Sequence, residues 1–66
     1  MSRLMEEIMD LRDARIRLQR QAAALEDKAL WEPQNFTEDD SYWLRYYRAD
    51  IARIKGAEAE LRARMK

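Results

Sequence analysis

A single proline, Pro33, stands near the middle of a 66-residue chain, and the halves on either side both repeat apolar residues at alternating spacings of four and three. No other feature constrains the fold as strongly. Proline lacks a backbone donor and pushes the residue before it out of helical geometry, so a first helix is predicted to end near Trp31. The second is predicted to open at Thr37, whose hydroxyl can cap the free amides while Asp40, three residues on, completes a capping box. Glu38, Asp39 and Asp40 complement the positive end of that helix, and Arg62, Arg64 and Lys66 the negative end. The expected fold is all-α: one domain over residues 1–66, with helix 1 at about 2–31, a turn at about 32–36 and helix 2 at about 37–65. So short a turn makes the helices antiparallel neighbours in a coiled-coil-like hairpin.

The seam can be read directly. Leu4, Ile8, Leu11, Arg15, Leu18, Ala22, Leu25 and Ala29 hold one stripe of the first helix, and Leu44, Tyr47, Ile51, Ile54, Glu58, Leu61 and Met65 one stripe of the second. Antiparallel pairing sets Leu4 by Met65, Ile8 by Leu61, Leu18 by Ile51, Ala22 by Tyr47 and Leu25 by Leu44. The two intruding charges, Arg15 and Glu58, then fall in adjacent layers, where they either pair or extend out of the seam on their own stems. Glu7 is expected to face Arg64, Glu26 to face Arg48, and Lys28 to lie by Trp43 within reach of a cation–π contact, while Arg12 opposite Arg62 counts against this register.

A lone hairpin needs one apolar seam per helix, yet a second stripe, Met5, Met9, Ile16, Ala23 and Leu30, runs along the first helix. The second helix carries Ala49, Ala52, Gly56, Ala59 and Ala63, displaced from its seam in the same rotational sense. Antiparallel helices therefore bring both stripes to one side of the hairpin. A chain of this size gains little net stability from its own core, so a second copy is the expected cover, giving a homodimeric four-helix bundle. Gly56 is the expected point of close approach. A different protein is the alternative cover.

Composition narrows the chemistry. With no cysteine and no histidine, thiolate sites, the usual zinc constellations and the commonest general base are absent. Consecutive carboxylates at a helix start do not converge on one ion, and no phosphate-binding glycine pattern occurs. No enzyme activity, metal or cofactor is expected. Thirteen basic residues balance thirteen acidic ones, which argues against non-specific polyanion binding, and Arg48, Lys55 and Arg62 suit the flank of a helical seam better than a row of phosphates. No apolar run is long enough for a membrane span, and the expected setting is the cytoplasm.

The informative region is the turn. All six aromatic residues lie between Trp31 and Tyr47. Residues 26–40 hold Lys28 against Glu26, Asp27, Glu32, Glu38, Asp39 and Asp40, a net charge of −5. Tyr47 belongs to the seam, and Phe36 suits the closed end of the hairpin. Trp31, Tyr42, Trp43 and Tyr46, rimmed by Glu38 and Asp39, have the composition of a protein-binding hot spot. Such a protein is an inhibitor or adaptor; the alternatives are a structural subunit of a larger helical assembly and a small nucleic-acid-binding regulator.

In size, helical-hairpin pattern and the tip segment WEPQNFTEDDSYWLRYY, the chain resembles the small phage-encoded proteins that inhibit host factors, the anti-quorum-sensing family among them. The resemblance implies a dimer of helical hairpins that binds a quorum-sensing transcription activator and a pilus assembly ATPase. It rests on architecture, and no binding residue is carried over from it.

Overall fold

The computed structural model describes residues 2–65. Helix α1 spans Arg3–Trp31 and helix α2 spans Glu38–Arg64, joined through a 3-10 turn at Pro33–Asn35. The two helices pack along their lengths as an antiparallel hairpin whose Cα extents are 48 × 16 × 15 Å. A 29-residue helix at 1.5 Å per residue accounts for about 44 Å of that long axis, and the turn and flanking residues for the rest.

Local chemistry sets each boundary. Ser2 caps α1 by accepting the Met5 amide at 3.2 Å. At the other end the Glu32 amide still donates to the Lys28 carbonyl at 2.8 Å, after which Pro33 has no amide to continue the ladder. Asn35 and Phe36 close the turn by donating to the carbonyls of Glu32 and Pro33. The capping box expected at Thr37 forms in both directions: the Thr37 hydroxyl accepts the Asp40 amide and the Thr37 amide donates to Asp40 Oδ2, each at 3.1 Å.

The seam lies where the 4,3 spacing puts it. Ile8, Ala22 and Leu44 are buried, and Leu4, Leu11, Leu18, Leu25, Tyr47, Ile51, Ile54 and Leu61 are partly so. The charged layers resolve as a pair: Arg15 Nε donates to Glu58 Oε1 at 2.6 Å and Arg15 Nη2 to Oε2 at 3.4 Å. Only 3 % of Glu58 is exposed, so the arginine fork replaces the hydration that the carboxylate gives up. Arg62, expected to face Arg12 unfavourably, turns instead to Glu58 Oε2 at 3.5 Å.

Three seam and flank expectations are corrected. Met65 lies past the last residue of α2 and is exposed, so the seam ends at Leu61; a side chain beyond the final turn has no facing layer to enter. Lys28 makes no cation–π contact with Trp43 among the described residues and reaches Asp40 Oδ2 at 2.8 Å, because a carboxylate one helical turn nearer the tip is a stronger partner than an exposed ring. Glu7 pairs along its own helix with Arg3 at 3.9 Å rather than across to Arg64. The cross-helix pair expected between Glu26 and Arg48 is present at 3.8 Å.

Candidate functional site

Trp43 is the centre of an aromatic array on the first turns of α2. Its ring meets Tyr42 at a centroid distance of 5.5 Å and Tyr46 at 5.6 Å, both nearly perpendicular, and Tyr47 at 6.0 Å with a tilt of 32°. Tyr46 also meets Tyr47 edge to face at 6.0 Å. Perpendicular packing suits the opposed charge of ring edge and ring face, so the four rings brace one another. Tyr47 enters the seam against α1 and anchors the array, while Tyr42, Trp43 and Tyr46 keep 55, 47 and 48 % of their surface exposed. Trp31, at the end of α1, is 75 % exposed and forms no ring pair with the array among the described residues. Phe36 is partly buried in the turn.

Glu38 and Asp39 are both exposed and, with Ser41, Tyr42 and Arg45, line a shallow surface depression beside the array. Asp40 faces inward. Its carboxyl is held below the ordinary aspartate value of 3.8, chiefly by the hydrogen bond from Lys28 and next by the Thr37 amide. A second open depression, on the other flank of the tip, is lined by Glu26, Asp27, Ala29, Leu30, Leu44 and Arg48. Arg45 and the Lys28–Asp40 pair are the tip features that sequence reasoning missed. The carboxylate three residues after the capping threonine was a signal for the cap, but not for the bond across to α1.

The stripe expected to meet a second copy is open in the hairpin. Met5, Met9 and Leu30 are exposed large apolar residues, Ala23 is exposed, and Ile16 is partly covered. Ala49, Ala52, Gly56, Ala59 and Ala63 are all exposed, and a Cβ built on Gly56 would touch nothing within 4 Å. At 100° per residue the α1 stripe lies about 120° around its helix from the seam, and the α2 stripe about 150°. Between seam and stripe on α2 run Arg48, Lys55 and Arg62, of which Arg48 folds onto Glu26 and Arg62 onto Glu58.

Among the described residues no group of three acidic side chains is placed to hold a metal ion, and no helix is long and apolar enough to cross a membrane. Comparison with known protein families, characterised proteins and solved structures gives no match to this chain.

Proposed function

We propose that the chain is a non-enzymatic protein–protein interaction module of the cytoplasm, a homodimer of hairpins that inhibits or adapts a host protein through its aromatic, acidic tip. The observation that carries this reading is the Trp43-centred array. Three large aromatic side chains, each about half exposed, are fixed against one another on a rigid helix, and this lowers the entropy a partner's binding would otherwise cost. The open stripe of Met5, Met9, Ile16 and Leu30 supports self-association into a four-helix bundle, and a transcription activator is the kind of host partner that the resemblance of the sequence implies.

The test is affinity capture from a host lysate with the unmodified protein and with Trp43→Ala and Tyr46→Ala. Capture that both variants lose while keeping helicity and solution mass supports the reading, and capture that neither affects places the partner elsewhere. The same open stripe favours a second reading, a structural subunit of a larger helical assembly. A monomeric solution mass with intact helicity would favour that reading over the homodimer.

A further inference from the structure

The charge left over at the tip selects the chemistry of what docks there. Three ion pairs neutralise most of the cations in this region: Lys28 with Asp40, Arg48 with Glu26, and Arg53 with Asp50. Glu38 and Asp39 enter no ion pair among the described residues, and the Glu32 carboxylate accepts only the Asn35 side-chain amide there. Against these three carboxylates stands Arg45. The exposed rings of Tyr42, Trp43 and Tyr46 thus sit in a field of uncompensated negative charge.

From this complementarity, and resting on the interaction reading above, we infer that the aromatic tip receives an arginine- or lysine-bearing segment of its partner protein. An aromatic face attracts a cation through its quadrupole, and neighbouring carboxylates add charge attraction without having to be buried. An arginine suits both parts of the surface, since its guanidinium stacks on a ring while its edge donates to carboxylate oxygens. Asp39 lies four residues before Trp43 and Glu38 four before Tyr42, so each carboxylate stands one helical turn from a ring. An acidic or neutral apolar partner would leave that charge unmatched.

The experiment selects binders to the full-length protein from a randomised peptide library containing Arg, Lys, Asp and Glu at equal frequency. Selected peptides are then measured against the unmodified protein, against Trp43→Ala, and against the double variant Glu38→Gln with Asp39→Asn, each checked for unchanged helicity. The expected result is enrichment of Arg and Lys beside apolar residues. Affinity should fall by about tenfold or more between about 50 and 300 mM salt, and by several-fold in the charge-neutralised variant. Neutral or acidic peptides that still require Trp43 would overturn the cation inference and leave the interaction reading standing. Peptides indifferent to Trp43→Ala, or no enrichment at all, would overturn both.

Discussion

Removing Arg15 should destabilise the hairpin more than removing Glu58, although the two side chains share the same bond. The Glu58 side chain is 4 % exposed and that of Arg15 21 %, so the carboxylate is the more committed member of the pair. In Arg15→Ala, Glu58 keeps only the Arg62 contact at 3.5 Å, from a side chain that is itself 60 % exposed. A buried charge that loses its partner typically costs about 3–5 kcal/mol; with Arg62 still in reach, a loss of about 3 kcal/mol is expected. In Glu58→Ala the arginine can extend its head into water and keep its stem on the seam, for a loss of about 1–2 kcal/mol. The alanine double variant should show coupling of more than about 1 kcal/mol. Arg15→Leu combined with Glu58→Leu should match or exceed the unmodified protein, because apolar side chains then fill the layers beside Ile54 and Leu11. Urea unfolding followed by circular dichroism, at one fixed protein concentration so that the proposed self-association would shift apparent stability equally in every variant, reads all of these. Single losses below about 0.5 kcal/mol without coupling would show that the pair behaves as a surface ion pair, and the burial argument would be wrong.

Other perturbations separate core, interface and tip. Tyr47→Ala should cost about 3 kcal/mol or more, since it empties the space against Ala22 and unseats the array, whereas Trp43→Ala and Tyr46→Ala should each leave helicity nearly intact; equal unfolding in all three would make the array part of the core. Gly56→Leu should halve the solution mass by overpacking the proposed interface, and an unchanged dimer would remove this stripe from it. Gly56→Ala, in contrast, places a methyl group in open space within the hairpin and should raise helix stability by about 1 kcal/mol in any monomer population, read from the thermal midpoint. The Asp40 carboxyl, depressed in the folded protein, contributes stability that is fully present above the ordinary aspartate value of 3.8 and is lost as pH falls through its lower folded value. Asp40→Asn should flatten that part of the acid-unfolding curve, and an unaltered curve would mean that the Lys28 bond does not persist in solution.

Backbone features were the legible part of the sequence. The 4,3 spacing located the seam because a small rotational error would have exposed Leu18, Ile51 and their neighbours together, and such collective penalties leave little freedom. Thr37 and Asp40 were equally readable, since the capping box is a local bond with a fixed offset. Long charged side chains were not. Lys28, Glu7 and Arg62 each pair with a residue other than the one the register sets opposite them, a choice of side-chain conformation that periodicity does not encode. The aromatic cluster was visible as composition, but its internal geometry was not: Trp31 is as aromatic as Trp43, yet it stands apart because it ends the other helix.

Asp40 joins two scales of structure through one carboxylate, closing the cap of α2 and holding Lys28 of α1. The chain enclosed between Lys28 and Asp40 is the shortest loop closed by a cross-helix ion pair among the described residues, and short loops lose the least entropy on closing. Folding is therefore easiest to begin at the turn and to proceed by zipping the seam toward the ends, each new layer lying beside one already formed. In the folded protein the same order runs in reverse. The layers near Leu4 and Leu61 should therefore open first, and amide exchange is expected to grade along the long axis, fastest at the open end and slowest toward the turn-side layers of Leu25 and Leu44.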